Sequence, residues 1–406
     1  MISFKNNLQI ISWLIYSIPL SLVCGIFVTE IIVFLIVSLF LVYIYVNKDF
    51  YYLKSKFFKI FIIVYIFLII NSLLSEDIFL SLKVSLPYIR YGFLSLAIWF
   101  AYQNNEKFLK EFKYFFIPLI IFLLIDGFFQ FYFGKNILGY STQSSRLSSL
   151  FFDEWILGSY LQKFYPLLII ILFHDQIEKK YIYLNFIILT LVYLIVFLSG
   201  ERTAFYLLNF LLIILFLSFN ISKKIKFFLY LIVPLVILIL INSPMKERVF
   251  LLDNKINFKD KIISFYNYNY KYYHKTSLNI FLDHKLLGSG VKTFRVLCDD
   301  YYYLEVTKSC STHPHNYYIQ ILAECGILGI FIIFIFFIYL IYKYINLLIK
   351  NKRLLNQKFH QAIILSGLLV YLWPIATSGN FFNNFLSIIL FFNLGLFIRN
   401  SNSNKL

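Results

Sequence analysis

The fold class this sequence predicts is an all-α membrane protein that crosses the bilayer about twelve times and carries one large outer loop. Composition comes first: 60% of the 406 residues are hydrophobic, 21% are aromatic and only 14% are charged, with a mean hydropathy of +0.77. Soluble domains carry charge on about a quarter of their residues, so lipid is the solvent for most of this chain. Apolar stretches recur, each near the ~20 residues a helix needs to cross a hydrocarbon core. Lysines then fall in every second connection.

In the first half the spans read 8–27, 30–46, 57–74, 84–102, 114–133 and 155–173; in the second they read 181–199, 203–219, 225–242, 315–342, 360–377 and 380–398. The first is too long for a signal peptide and lacks a small-residue cleavage site, so it reads as a retained helix. Lys48, Lys54, Lys56 and Lys59 follow the second span, Lys107, Lys110 and Lys113 the fourth, Lys179 and Lys180 the sixth, and Lys223, Lys224 and Lys226 the eighth. The connection after the tenth adds Lys343, Lys350, Lys352, Arg353 and Lys358. By the positive-inside rule both termini are cytoplasmic, and the odd-numbered connections face outward. A missed or invented span would scramble the alternation. The chain therefore divides into 1–242, the first nine helices; 243–314, a large periplasmic loop; and 315–406, the last three helices and a cytoplasmic C-terminus.

The long loop holds charges of both signs and the tract Tyr266-Asn267-Tyr268-Asn269-Tyr270-Lys271-Tyr272-Tyr273. Loops of this length are functional or disordered, and the aromatic density argues for a folded cap. The net charge of +17 is explained by cytoplasmic lysines that set orientation and meet anionic lipid, which excludes a nucleic-acid partner. Cys24 and Cys325 lie in apolar spans and read as small buried hydrophobes. Cys298 and Cys310 share the outer loop, where an oxidising compartment favours a short disulfide ring. No paired Cys or His spacing suggests a metal.

Only seven of the 37 basic residues are arginine. Arg353 and Arg399 fall on the cytoplasmic side; Arg90, Arg146, Arg202, Arg248 and Arg295 all fall in outer connections or at the outer ends of spans. Lysine suffices for topology, so arginine here points to its planar fork, which grips phosphate oxygens bidentately. Ordinary salt bridges to Glu201, Asp153 or Asp299 are the alternative. Lys163, inside the sixth span, is a further candidate or a snorkelling side chain.

The most specific segment is Thr312-His313-Pro314-His315-Asn316, running into Glu324-Cys325-Gly326-Ile327-Leu328-Gly329. Pro314 suits a helix start and sets His315 near its amino end, where the helix dipole keeps an imidazole neutral and able to accept a proton. Gly326 and Gly329 on one face would let another helix approach closely.

His315-Asn316, nine residues, then Gly326-x-x-Gly329 resembles the His-Asn-x9-Gly-x-x-Gly signature of the O-antigen ligase/polymerase superfamily. Ser199-Gly200-Glu201-Arg202-Thr203-Ala204 resembles the family's Ser/Gly-x-Arg-Thr-Ala element. Gly288-Ser289-Gly290-Val291-Lys292-Thr293-Phe294 resembles its Gly-x-Gly-x-x-x-Phe loop, for which an ordinary tight turn is the alternative. Arg146 with Glu154-x-x-Leu157-Gly158-Ser159-Tyr160-Leu161 also has a family shape.

The resemblance implies an inverting glycosyl transfer without metal or other cofactor, on a fold like that of the large membrane-embedded (GT-C-like) glycosyltransferases. The donor would be a glycan on polyprenyl (undecaprenyl) diphosphate at the periplasmic face of the bacterial inner membrane. The acceptor would be lipid A-core for a ligase, or a second lipid-linked repeat for a polymerase. His315 would be the general base and Arg202 the diphosphate clamp. The family's second functional arginine lies upstream of the Gly-x-Gly element, where this chain has Tyr270, Lys271 and Lys275; Lys271, Lys275 or Arg248 would substitute. Diphosphate leaves well when fixed cations neutralise it, consistent with the lack of an Asp-x-Asp element in the outer loops. A flippase or transporter is the reading from another class, but no internal repeat is evident and the polar features crowd at one face.

Overall fold

The computed structural model describes residues 4–142, 146–174, 181–218, 268–300, 302–303, 310–350 and 356–402. Helices account for eleven of the twelve expected spans, and the other, 225–242, lies outside the described residues, as does Arg248. In chain order they are α1 (Phe4–Cys24), α2 (Ile26–Asn47), α3 (Lys56–Leu73), α4 (Ile78–Ser85), α5 (Ile89–Asn104), α6 (Phe108–Phe133) and α7 (Leu157–Phe173). Then come α8 (Ile182–Leu198), α9 (Arg202–Ser218), α10 (Tyr268–Asp283), α11 (Phe294–Leu297), α12 (Tyr317–Lys350), α13 (Asn356–Tyr371) and α14 (Asn384–Asn402). Among the described residues there is no strand. Also among the described residues, six helical stretches are long and apolar enough to cross a membrane, and α7, α8, α9, α13 and α14 are shorter apolar helices.

Besides α6 starting at Phe108 rather than 114 and α12 running to Lys350 rather than 342, three features differ from expectation for identifiable reasons. The fourth span starts at Ile78 rather than at 84: Asp77 caps α4 by accepting the Leu80 N–H (2.9 Å), and Pro87 supports a single 3₁₀ turn through which α4 continues into α5 as one stretch, Ile78–Asn104. The last two spans stop at Tyr371 and start at Asn384, leaving 372–383 as a loop. Pro374 removes a backbone donor there. The carbonyls of Pro374 and Ala376 are taken instead by the Asn316 side chain (2.8 and 3.2 Å).

The third difference is inside α12, where Gly326 adopts φ 65, ψ −163 and breaks the helix. A break frees the carbonyls of residues 323 and 324 and the N–H groups of 327 and 328, which a continuous helix would pair with each other. All four are taken up by the segment 285–290. Ser289 N donates to Ala323 O (3.0 Å), Gly290 N to Glu324 O (2.9 Å), Ile327 N to Lys285 O (2.9 Å) and Leu328 N to Leu286 O (3.4 Å). In a bilayer unpaired backbone groups are costly, so broken helices persist only where protein supplies partners.

The bundle is built around α7, whose residues are buried on every side from Leu157 to Leu172 apart from Ser159 and Lys163. It packs against α8, α9 and α13, with Gly367 of α13 accommodating Pro166. On the other flank α14 lies along α5, where Gly395 leaves room for Ile98 and the Ser95 carbonyl, and the Ser95 hydroxyl donates to Phe391 O (2.6 Å).

The connections sort into two ends. At one, Asn104 meets the Tyr52 hydroxyl (2.9 Å), His174 faces His360 (5.3 Å between ring centroids) and Arg399 sits over the Tyr102 ring (4.4 Å). At the other, Glu76 N donates to Ser289 O (2.9 Å), Leu147 N to Ser199 O (3.3 Å) and Ser378 N to His315 O (2.9 Å). That second set joins the odd-numbered connections to one another, the set expected to face outward.

Candidate active site

His315 sits in a tight turn just before α12, at φ 59, a left-handed conformation uncommon for a residue with a side chain. Asn316 caps the helix: its Oδ1 accepts the N–H groups of Tyr318 (3.0 Å) and Ile319 (3.1 Å), while its Nδ2 holds the 372–383 loop. The His315 ring lies against Tyr270 (4.8 Å) and Tyr273 (5.7 Å) of α10 and against His313 (4.1 Å). His274, buried in the same helix, hydrogen-bonds the Pro314 carbonyl. Burial, and secondarily the nearby charge of His274, hold the His315 pKa below its ordinary value. The expected direction is therefore present, with desolvation as its cause rather than the helix dipole. His313 is pushed down to about 4, by burial first and His315 second. Its Nε2 faces the Ser378 carbonyl (3.2 Å), so that nitrogen carries the proton and Nδ1 accepts from the Thr312 hydroxyl (2.9 Å).

The Gly-x-Gly element is no ordinary turn. A Cβ on Gly288, at φ +80, would lie 2.3 Å from the Glu324 carbonyl carbon, and one on Gly290, at φ +119, would lie 2.1 Å from Ser75 Cβ. The same contact explains Gly326, where a Cβ would meet Leu286 O at 2.4 Å. Close approach is the reason for that glycine, as expected, but the partner is loop backbone and not another helix. The crowding at Gly329 comes from Cys325 and Ile321 of its own helix. Glu324, fully buried, completes the junction by accepting the N–H of Lys292 (3.0 Å) and Phe294 (3.3 Å) and the Gln320 amide (3.0 Å). Cys298 and Cys310 form a disulfide that ties α11 to the segment before His315.

These elements enclose a cleft of about 1390 Å³. Arg146, Lys163, Arg202, Lys292, Arg295 and His315 line it, together with the acids Asp153, Glu154 and Glu201. Arg146 stacks over Trp155 (5.4 Å), and Lys163 reaches toward the Ser159 carbonyl (3.5 Å) at the open end of α7. Glu201 accepts the N–H groups of Gly158 (2.6 Å) and Ser159 (3.2 Å), capping α7 from outside. Burial raises its pKa to about 7, with Lys163 pulling the other way. Gly158 is required because a Cβ would strike Ser199 Oγ at 2.2 Å. The Thr203 hydroxyl bonds that of Thr377, closing the wall between α9 and the 372–383 loop.

Two groups expected near the site are elsewhere. Lys271 and Lys275 lie on the exposed face of α10, while Tyr270, Tyr273, His274 and Ser277 occupy its inner side; neither lysine lines the cleft. Arg90 is held bidentately by Glu30 (2.8 and 2.9 Å) and does not line it either, so for this arginine the salt-bridge reading holds. Residues the sequence reading passed over are His313, His274, Lys292 and the 372–383 loop. His313 and Lys292 were nonetheless inside the quoted motifs.

Fold and site together define a class: an all-α polytopic membrane protein with a cationic, histidine-bearing cleft at one end of its bundle. Residues 185–334 match the family model described as O-antigen ligase, which spans α8 to the middle of α12 and includes Arg202, the Gly-x-Gly element and His315. Over these residues, a little over a third of the chain, the sequence is similar to the O-antigen ligase superfamily, and the match supports a glycosyltransferase-like enzyme of the ligase/polymerase type. Among curated proteins none matches the sequence.

Proposed function

We propose that this protein is a ligase that transfers a glycan from polyprenyl diphosphate to lipid A-core at the periplasmic face of the bacterial inner membrane. The observation that carries the reading is the shared cleft, which is lined by a histidine disposed to stay neutral and by Arg202 and Arg146. In the reaction an acceptor hydroxyl attacks the anomeric carbon and gives its proton to His315. The bond from that carbon to the diphosphate oxygen breaks, and its electron pair leaves on the diphosphate, where Arg202 and Arg146 stabilise the charge. A single displacement inverts the anomeric centre, and the fixed cations take the part a metal plays in other transferases. The products are the extended acceptor and free polyprenyl diphosphate.

Broken helices are also used by transporters to bind substrate through freed backbone groups. Here the groups freed at Gly326 are consumed by residues 285–290, which favours a role in building the cleft wall. The test compares wild type with His315→Ala at equal protein level, by lipopolysaccharide gel and by analysis of carrier-linked glycans. Long chains lost from lipopolysaccharide but accumulating on the carrier are expected. A single repeat still reaching the core, with long chains absent everywhere, would make the protein a polymerase. An unchanged profile in both fractions would remove His315 as the base.

A further inference from the structure

We propose that Lys292 is the second cation of the diphosphate site, working opposite Arg202 from the loop that Glu324 holds against α12. The proposal rests on the reading of Arg202 as the diphosphate clamp. It replaces Lys271 and Lys275, which face away from the cleft.

Backbone geometry gives the first argument. Lys292 has φ 63, and the described residues other than glycine contain only five with positive φ; His315 is another of them, on the same cleft. Such a conformation is unfavourable for a residue with a side chain and persists only where the surroundings over-determine it. The surroundings here are Glu324, which takes the Lys292 N–H, and the Gly288–Gly290 backbone bonded to the broken end of α12. Glu324 stands in the same short helical segment that begins just after His315. One rigid piece therefore fixes both the base and this lysine.

Charge gives the second argument. Lys292 is half-buried and adjoins Arg295, and among the described residues neither has a carboxylate within ion-pair distance. Burial first and the Arg295 charge second push the Lys292 pKa down, with the Glu324 carboxylate only partly opposing them, so the ammonium sits where a further anion would relieve it. A diphosphate is an anion of enough charge to engage Arg202 and Lys292 together. An acidic or phosphorylated acceptor sugar shares that chemistry, and a binding assay without acceptor separates the two sources.

The experiment measures undecaprenyl diphosphate binding to the full-length protein in lipid nanodiscs, by native mass spectrometry with no acceptor present. Lys292→Gln keeps the backbone N–H that Glu324 accepts, so the loop should stay folded, checked by an unchanged melting temperature. Lys292→Gln is expected to weaken binding about tenfold or more, the effect of one lost charge-assisted hydrogen bond. Arg202→Gln should do the same, Lys292→Arg should restore most of the affinity, and Lys271→Gln with Lys275→Gln should leave it unchanged. If Arg202→Gln weakens binding and Lys292→Gln does not, the proposal is overturned while the clamp reading stands. If only Lys292→Gln weakens it, the clamp reading fails and Lys292 remains a diphosphate cation. No binding by the wild type overturns both.

Discussion

Replacing Gly288 by alanine tests whether the junction between the Gly-x-Gly loop and the broken α12 holds the site together. At φ +80 a Cβ introduces left-handed strain of about 1–2 kcal/mol. It would also lie 2.3 Å from Glu324 C and 2.4 Å from Cys325 N, backbone atoms that cannot swing aside as a side chain can. The loop must retreat, and the bonds from Ser289 N to Ala323 O and from Gly290 N to Glu324 O are the first to go. Each leaves a buried group short of a partner at about 1–3 kcal/mol, so the local opening energy should fall by about 4 kcal/mol in all. That corresponds to roughly a thousandfold change in the open population. Hydrogen–deuterium exchange in nanodiscs reads it directly: the Ser289, Gly290 and Ile327 amides should exchange faster by two to three orders of magnitude, on the estimate of about 4 kcal/mol. Gly25→Ala is the control, since its φ is +123 but nothing lies within 4 Å of the added Cβ. Unchanged protection of Ser289 and Gly290 in Gly288→Ala would refute the argument that these glycines exist for close backbone approach.

Two further outcomes follow from the charges around the cleft. His315 must be neutral to accept a proton, and its pKa is lowered, so transfer should be flat near neutral pH and fall only below pH 6.5, the ordinary histidine value. In His274→Gln the acid limb should move up toward that value because a positive neighbour is gone; a limb that stays in place would show that His274 does not act on His315 electrostatically. Arg90→Ala should lower the melting temperature, because it leaves the half-buried Glu30 without its bidentate partner, a loss of about 1–3 kcal/mol. Undecaprenyl diphosphate affinity should be unchanged, and a drop at constant stability would return Arg90 to the site.

Much of the architecture was legible because the bilayer imposes a length on every span and a sign on every second connection. The resemblance likewise named His315 and Arg202, which the structure brings to one cleft. What escaped the sequence depends on contacts distant along the chain. A glycine in an apolar run reads as a packing residue, and nothing local says that Gly326 breaks α12; its conformation is fixed by Leu286 and Gly288, some forty positions earlier. The facing ends of α13 and α14 are not legible in the local sequence because Asn316, more than fifty positions earlier, holds the loop between them by binding the carbonyls of Pro374 and Ala376. Lys271 and Lys275 stand close to a family position in the sequence, but the helix period sets them four apart on one exposed face. Tyr270 and Tyr273, on the other side, meet His315.

The segment 317–325 explains why the signature spans both a histidine and a distant pair of glycines. Its first turn is capped by Asn316, whose other end grips the 372–383 loop, and Gln320 extends that grip by accepting the Phe381 N–H (2.9 Å). Its last turn carries Glu324, which receives Lys292 and Phe294 from the other wall. Were α12 continuous, the carbonyls of Ala323 and Glu324 would be engaged within the helix, and the Gly-x-Gly loop would have nothing to bond to. The break at Gly326 thus supplies the edge on which the Lys292 loop is built, and the nine-residue spacing keeps that edge two to three helical turns from His315. A shift of one residue in this spacing would rotate Glu324 by about 100° away from the loop. Insertion of a single alanine between Gln320 and Glu324 should therefore abolish glycan transfer even if the protein inserts and accumulates normally.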